Sequence, residues 1–163
     1  MVRGLSRNPY VSKIRRTAKK TGRNLYVAGP SKVNRNTTLG DNVRFHGMKI
    51  TGKGRVDIGS YVIAAGDCMI ITQNHNYEGD AIPYDDTLNF RDVVIGDFVW
   101  IGARVLILPG TKIGEGAIIQ GGAVVHGEIP PYAIAGGNPA KVFKYRDAEH
   151  FKKLKAEGKF YRG

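Results

Sequence analysis

His75 is the side chain best suited to acid–base chemistry in this 163-residue sequence. It lies in a polar, glycine-containing segment, residues 74–80, at the point where a regular apolar pattern breaks off. A neutral imidazole titrates near neutral pH and can take a proton from a hydroxyl or an amine. Functional side chains often stand on loops that a rigid scaffold holds in place. We therefore predict that His75 is a general base, and the alternative is a histidine of an ordinary surface loop.

Few other residues offer nucleophilic or metal chemistry. Cys68 is the only cysteine, so no internal disulfide can form, and we expect it in the core. A single cysteine favours a reducing compartment, and we predict a cytoplasmic protein that holds no metal. No apolar run approaches the roughly 18–20 residues of a membrane helix. The basic N-terminus also lacks the apolar stretch of a secretory signal.

The elements that must position His75 are indicated by an apolar repeat with a period of six. The aliphatic positions are Ile95, Ile101, Ile107, Ile113, Ile119 and Val125. A small or β-branched residue follows four positions later, in the series Val99, Val105, Thr111, Ala117, Ala123 and Ile129. A helix repeats near 3.6 residues and a strand alternates at 2, so each hexad predicts a short strand and a turn. Three hexads close a triangular coil, and stacked coils form a parallel β-helix; the alternative is a sandwich with coincidental spacing.

The repeat is interrupted twice and flanked by two predicted helices. The frame slips by one residue between Phe45 and Ile58, and an excursion loop at about 74–92 leaves the coil. Asn8-Pro9 predicts the start of a helix over roughly 9–20, and Asp147 predicts a cap for a second helix over roughly 148–157. We predict a basic helical segment at 1–25, a β-helix domain at 26–145, and a C-terminal helix and tail at 146–163.

Four motifs between Ile70 and Tyr145 give the sequence a family resemblance. They are Asn74-His75-Asn76-Tyr77-Glu78-Gly79, Val94-Ile95-Gly96-Asp97-Phe98-Val99-Trp100-Ile101-Gly102-Ala103, Ile107-Leu108-Pro109-Gly110, and Ile129-Pro130-Pro131-Tyr132-Ala133-Ile134-Ala135-Gly136-Gly137-Asn138-Pro139-Ala140-Lys141-Val142. With them the chain resembles the hexapeptide-repeat acyltransferases, among them xenobiotic and streptogramin, galactoside and maltose, and sugar O-acetyltransferases. The motifs cover about half of the chain, and residues 1–25 carry none of them.

The resemblance implies an all-β, left-handed parallel β-helix, a homotrimer with active sites between subunits, and acetyl-CoA as co-substrate. It makes His75 the catalytic base that acts without an acyl-enzyme intermediate. The implied cofactor-binding residues are Ala103, Gly121, His126, Lys141 and Lys144. The implied acceptor-binding residues are Asn74, Tyr77 and Tyr84, and the expected acceptor is a sugar hydroxyl. A streptogramin-type antibiotic or an amino-sugar amine is the alternative.

The sequence departs from the family pattern along the implied CoA groove. Gln120 replaces a glycine that is common at that corner. His126 stands where a threonine is usual, and Gly127 follows where a lysine is frequent. These departures predict an altered contact with the co-substrate.

Three other functional classes deserve comparison. The first class is a zinc enzyme, because γ-class carbonic anhydrases share the predicted coil and hold zinc with two histidines five residues apart. The four histidines of this sequence include no such pair. A non-catalytic scaffold would not need the intact His75 motif. The net charge of +11 suits a polyanion, but no helix-turn-helix, stacking platform or zinc finger supports specific nucleic-acid binding. Residues 1–25 carry eight basic residues and no acidic one, so contact with an anionic membrane surface or glycan stays open.

Overall fold

The computed structural model describes residues 8–161. Residues 1–7 and 162–163, including Arg3 and Arg7 of the predicted N-terminal segment, lie outside the described residues. The helices are α1 (Pro9–Thr17) and α2 (Ala148–Ala156). The strands are β1 (Lys20–Thr21), β2 (Tyr26–Val27), β3 (Thr37–Leu39), β4 (Arg44–Phe45), β5 (Met48–Thr51), β6 (Val56–Ile58), β7 (Ile63–Ala64), β8 (Cys68–Ile71), β9 (Gln73–His75), β10 (Leu88–Phe90), β11 (Val93–Ile95), β12 (Trp100–Ile101), β13 (Leu106–Ile107), β14 (Lys112–Ile113), β15 (Ile118–Ile119), β16 (Val124–Val125), β17 (Glu128–Ile129), β18 (Ala133–Gly136) and β19 (Lys141–Tyr145).

Three sheets form the faces of a prism. The first face has the strand order β1-β3-β6-β11-β14-β17, the second β2-β4-β7-β12-β15-β18-β19, and the third β5-β8-β13-β16. The chain visits the three faces in turn. We call the turn from the first face to the second the first corner, and the turn from the second face to the third the second corner. The third corner is the turn from the third face back to the first. Neighbouring strands of successive coils are parallel, and Ile95 pairs with Ile113 while Ile101 pairs with Ile119. The predicted parallel β-helix of hexapeptide coils with two terminal helices is confirmed.

The aliphatic positions of the repeat point into the prism. Ile95, Ile101, Ile107 and Ile119 are each exposed by 2% or less. Burial of each such side chain contributes about 1.5–3 kcal/mol. The buried hydroxyl of Thr111 donates hydrogen bonds to the carbonyls of Leu108 and Val125 at 2.7 and 3.1 Å. The core is therefore one continuous apolar column that runs through every coil.

The register of the repeat changes in the last coil. The repeat predicts that Ile129 is the small or β-branched residue that follows the aliphatic Val125 by four positions. Instead, Ile129 pairs with Ile113 and so takes the aliphatic position of the next hexad. The prediction for Ile129 is therefore wrong by two residues. The third corner holds only His126 and Gly127 in this coil, because Gly127 adopts a φ of +71° that lets the chain turn within two residues.

The α1 helix closes the N-terminal end of the prism. The side chain of Asn8 caps it by accepting a hydrogen bond from the amide of Tyr10 at 3.0 Å, and Ile14 is buried on the core. The helix ends at Thr17, before the predicted residue 20, because Lys20 and Thr21 pair with Thr38 and Leu39 on the first face. The first coil thus includes Lys20 and Thr21, which lie within the predicted N-terminal segment at 1–25.

The α2 helix begins and ends close to its predicted limits. Asp147 caps it by accepting a hydrogen bond from the amide of His150 at 2.9 Å, and the chain turns at Gly158 with a φ of +64°. Phe151 is buried and packs at the first corner against the rings of Phe98 and Tyr132. Neither helix in residues 8–161 has the length and apolar character needed to cross a membrane.

Candidate active site

The excursion at the third corner starts as a hairpin. β9 and β10 are antiparallel, and His75 pairs with Leu88 across the two strands. Thr72 anchors the departure point, since its buried hydroxyl donates to the carbonyl of Thr51 at 2.8 Å and accepts from the amide of Gly54 at 3.1 Å. His75 therefore stands at the hairpin base, three residues from a fixed point of the prism.

The imidazole of His75 is stacked on the ring of Tyr84. The two ring centroids lie 3.9 Å apart and the ring planes differ by 16°. Tyr84 is 46% exposed, and His75 is also exposed. A stacking partner covers one face of the imidazole and leaves the nitrogens at its edge open to a substrate. The geometry thus restrains the ring without occupying the atoms that would carry a proton.

Asp85 holds the tip of the excursion together. Its carboxylate accepts hydrogen bonds from the amide and hydroxyl of Thr87 at 2.9 and 2.5 Å and from the amide of Asp80 at 3.1 Å. The side-chain and backbone hydrogen bonds from Thr87 lower the pKa of the Asp85 carboxyl below its ordinary value. Thr87 also contacts Asn76, whose amide donates to the Thr87 carbonyl at 3.0 Å. Sequence reasoning missed this network, although the Asp85-Asp86-Thr87 spacing is typical of a side-chain-stabilised turn.

The three predicted acceptor-binding residues differ in their relation to His75. Tyr84 contacts its ring, as described. Tyr77 lies on the loop and is 74% exposed. Asn74 precedes His75 in β9, so its side chain points to the opposite face of the hairpin. Only Tyr84 is therefore in contact with the predicted base.

Three of the predicted cofactor-binding residues line the second corner. Ala103 and Gly121 are exposed and adjacent in neighbouring coils, and the amide of Gly122 donates to the Ala103 carbonyl at 2.8 Å. A Cβ atom on Gly102 would lie 2.4 Å from the amide nitrogen of Gly121, so this stacking requires glycine. Lys141 pairs with Gly136, which leads into the same corner in the last coil.

The other two predicted cofactor-binding residues lie elsewhere. His126 is exposed at the third corner, the corner from which the His75 excursion departs. Lys144 pairs with Ile134, at the end of β18 that is remote from the second corner. The four residues of β8 separate the second and third corners, about 13 Å at 3.3 Å per residue. A single chain therefore does not bring His75 into contact with Ala103, Gly121 or Lys141.

A groove of about 380 Å³ lies between the second face and the C-terminal segment. Trp100, 56% exposed, and Ile118 form part of its floor, and Arg44, Arg146 and Tyr161 also line it. The groove combines an apolar floor with cationic groups, as suits an amphipathic anionic ligand. It lies on the face that also carries Lys144.

Cys68 is a core residue, as predicted. It is 2% exposed, and its thiol donates to the carbonyl of Gly102 at 3.1 Å. Burial raises the pKa of the thiol above its ordinary value, which keeps it protonated and unreactive. Within residues 8–161, no three His, Cys, Asp or Glu side chains are grouped so that they could hold a metal ion.

Comparisons with known proteins place these features in context. The family model described as bacterial transferase hexapeptide (six repeats) matches residues 92–127. A probable macrolide acetyltransferase of Lysinibacillus sphaericus is 36% identical over 123 residues, which cover 65% of this chain and 67% of the relative. The solved structure of a galactoside acetyltransferase in complex with coenzyme A superposes with a TM-score of 0.76 at 26% identity, covering 86% of this chain and 72% of the other.

A further relative is matched over a smaller share of its length. A probable acetyltransferase of Mycobacterium tuberculosis (strain ATCC 25618 / H37Rv) is 41% identical over 92 residues, which cover 56% of this chain and 31% of the relative. The chain likewise spans about half or less of the length of several other curated acetyltransferases that it matches.

Proposed function

Because the chain belongs to the hexapeptide-repeat acetyltransferase family, we propose that it transfers an acetyl group from acetyl-CoA to a sugar hydroxyl, with His75 as the general base. The observation that carries the proposal is the exposed His75 ring, stacked on Tyr84 at the fixed base of the excursion hairpin. The coenzyme A complex of the galactoside acetyltransferase, a protein of the same fold, supports the choice of donor.

The chemistry asked of the chain is modest. Acetyl-CoA supplies a thioester that is already activated, so the protein has to orient two substrates, remove one proton and stabilise one developing negative charge. The edge nitrogen of His75 takes the proton as the acceptor oxygen attacks the thioester carbonyl carbon. The C–S bond then breaks and coenzyme A leaves as a thiol after it gains a proton.

The residues of the second corner fit the donor. Gly121 and Ala103 are exposed and carry no large side chain, so the pantetheine arm can approach their backbone closely and a backbone amide can donate to the oxyanion. Lys141 at this corner, and Lys144 farther along β19, offer positive charge to the CoA phosphates near the end of the prism. His126 replaces a hydroxyl by an imidazole on the other corner, and we propose that it contacts the donor there.

We propose a homotrimer because one chain holds only half of this site. His75 and His126 lie at the third corner, whereas Ala103, Gly121 and Lys141 lie at the second. An active site that uses both sets of residues is therefore shared between two subunits. Beyond Arg44 and Lys49 in the second coil, the outward side chains of the second and third faces are also apolar. They are Ile63, Trp100, Ile118 and Ile134 on the second face and Met69, Leu106 and Val124 on the third. The first face is mainly polar, with Thr38, Asp57, Lys112 and Glu128 outward. Apolar outward faces favour association with further copies.

The acceptor is proposed from relatives and from loop chemistry together. Tyr84 and Tyr77 present aromatic and hydroxyl groups around His75, which suits a sugar ring. The galactoside acetyltransferase supports a sugar acceptor. The macrolide relative supports an antibiotic hydroxyl as the second candidate. An amino-sugar amine is chemically equivalent for His75, because it too must lose a proton.

A substitution at the base tests the catalytic proposal. We expect His75→Ala to lower kcat by about 10²–10⁴-fold and to leave acetyl-CoA binding nearly unchanged, since only proton transfer is lost. His150→Ala is the matched control, because His150 is exposed on α2 far along the chain from the excursion. Turnover is followed by thiol release, and donor binding by calorimetry. Turnover of the His75 variant close to that of the control would remove His75 as the base.

A panel of acceptors tests the substrate class. Thiol release from acetyl-CoA is measured with monosaccharides, nucleotide sugars, amino sugars, macrolides and streptogramins. We expect the highest kcat/KM for a sugar hydroxyl. A preference for a macrolide or a streptogramin would select the second candidate. If no class of acceptor gives thiol release, a non-catalytic scaffold would be favoured.

A further inference from the structure

The net charge of the chain is distributed unevenly along its sequence. Residues 1–40 contain ten Lys or Arg and no Asp or Glu, whereas residues 41–163 contain fifteen Lys or Arg and fourteen Asp or Glu. Ten of the eleven net positive charges therefore belong to the N-terminal quarter of the chain. From this distribution and the geometry below, we propose that the N-terminal end of the prism docks on an anionic phospholipid membrane.

The cationic side chains lie on the outside of that end. α1 crosses the open end of the first coil, from Asn8, whose amide group donates to the Val27 carbonyl at 2.7 Å, to Lys19, whose amide donates to the Thr37 carbonyl at 2.9 Å. Exposed basic residues of α1 and the first coil are Lys13, Arg15, Arg16, Lys19, Lys20, Arg23, Lys32 and Arg35. Among residues 8–161, Arg23 is the one member of this set that forms an ion pair, with Asp41 at 2.7 Å.

A second observation is a lysine-lined cavity at the same end. It has a volume of about 370 Å³ and lies between α1 and the start of the third face. Lys13, Lys32 and Lys49 line it, together with Tyr10 and Ser31, and no acidic residue does. The Lys32 and Lys49 backbones are paired, so two of the three ammonium groups come from adjacent coils. Such a cavity can accept a phosphate-bearing headgroup.

A flat membrane suits this surface better than nucleic acid does. α1 buries Ile14 against the core, and within residues 8–161 it is followed by a strand and not by the second helix that a helix-turn-helix requires. Tyr10 is the single aromatic side chain that lines the cavity, whereas proteins that bind single strands stack successive bases on several aromatic rings. In the proposed trimer, a cyclic arrangement would turn three such ends to the same side and multiply their attraction.

The contact is peripheral and electrostatic, because the apolar side of α1 is used by the core. This contact places the base of the excursion roughly 20 Å from the lipid surface. The distance comprises two coils of about 4.8 Å each and a helix about 10 Å in diameter. The docking inference does not depend on acetyl transfer, so its test needs no substrate.

Vesicle binding by the full chain tests the inference. We compare vesicles of phosphatidylcholine alone with vesicles that contain about one third phosphatidylglycerol, by flotation. The variant K13Q/K32Q/K49Q removes three charges from the cationic end, and K112Q/K152Q/K153Q removes three exposed charges from the first face and α2 as a matched control. Circular dichroism and thermal midpoints verify that both variants fold.

We expect the wild type and the control to bind only the anionic vesicles and to dissociate at about 1 M salt. Each basic group near an anionic surface strengthens binding about fivefold, so K13Q/K32Q/K49Q should bind about a hundredfold more weakly. Equal binding of the two variants, equal binding to neutral vesicles, or no wild-type binding at about 0.1 M salt would overturn the inference. Duplex DNA that displaces the vesicles at equal phosphate concentration would assign the surface to nucleic acid instead. Inorganic phosphate at millimolar concentration should not compete.

Discussion

At the scale of single residues, the stack between His75 and Tyr84 is the contact that most directly affects the proposed chemistry. An aromatic pair contributes about 0.5–1.5 kcal/mol beyond its buried area. We therefore expect Tyr84→Ala to lower kcat by about twofold to tenfold because the imidazole loses its restraint. Tyr84→Phe keeps the ring and should retain kcat, which separates stacking from any role of the hydroxyl.

The measurement is the pH profile of kcat for both Tyr84 variants, with the KM for acetyl-CoA alongside. A restraint on the base changes kcat and not the donor KM. Equal loss in the Phe and Ala variants would show that the phenol hydroxyl, and not the stack, matters.

Cys68 gives a second prediction at this scale. Its raised pKa and its burial keep the sulfur in the unreactive thiol form at pH 8. A thiol reagent that colours on reaction should therefore label the native chain far more slowly than the chain in denaturant. Equal labelling rates in the two conditions would contradict the core position of this residue.

Sequence reasoning could single out His75 as a candidate base, but it could not predict the surroundings of this side chain. A histidine at a break in a regular repeat is visible from the spacing alone. The stack with Tyr84 spans nine residues of irregular loop, and its geometry depends on how Asp85 and Thr87 close that loop. The placement of Asn74 on the opposite face follows only once β9 and β10 are known to be strands.

At the scale of elements, the excursion depends on the hydrogen bonds that Asp85 accepts. Its carboxyl has a lowered pKa in the folded chain, so its contribution is complete above the ordinary carboxyl value. The contribution is lost as the pH falls through the lowered pKa. Loop order should therefore be constant from neutral pH down to mildly acidic conditions.

Asp85→Asn tests the element directly. The neutral amide is a weaker acceptor than a carboxylate, so we expect faster hydrogen exchange at the amides of Thr87 and Asp80. Asp86→Asn is the matched control, because Asp86 is exposed beside it. Exchange that is unchanged in the Asp85 variant would show that the backbone of the hairpin alone holds the loop.

Element limits show what local propensity can and cannot predict. The cap at Asn8 and the cap at Asp147 were readable from residue types, and both helices begin there. The end of α1 could not be predicted from residue types, because strand pairing of Lys20 and Thr21 with the next coil outweighs their helical propensity. The two-residue third corner at His126 was equally hidden, since a shortened turn leaves the apolar pattern almost intact.

At the scale of the whole molecule, stability rests on the inward column. We expect Ile119→Ala to cost about 2–5 kcal/mol of unfolding free energy, because Ile119 is 1% exposed and its loss leaves a cavity. Ile118→Ala is the matched control, since Ile118 points outward from the same strand. Urea denaturation measures both variants. An equal loss in the two would mean that assembly, and not the interior, dominates stability.

The architecture was the most predictable feature and the assembly the least. A period of six has one simple structural solution, and pairing such as Ile101 with Ile119 follows it. The split of the candidate site between two corners emerges only when strands are assigned to faces, because residues eighteen apart in sequence become neighbours while adjacent hexads do not.

Both ends of the prism are also covered, so that strands of another molecule cannot easily pair with the terminal coils. β19 folds back antiparallel on β18, and the segment between these strands hydrogen-bonds β16, where Ala140 donates to the carbonyl of Val124. Pro130-Pro131 follow β17. α1 covers the opposite opening. Proline and covered strand edges prevent a neighbouring molecule from adding rungs of its own. These features disfavour lengthwise polymerisation of the coils into a fibril.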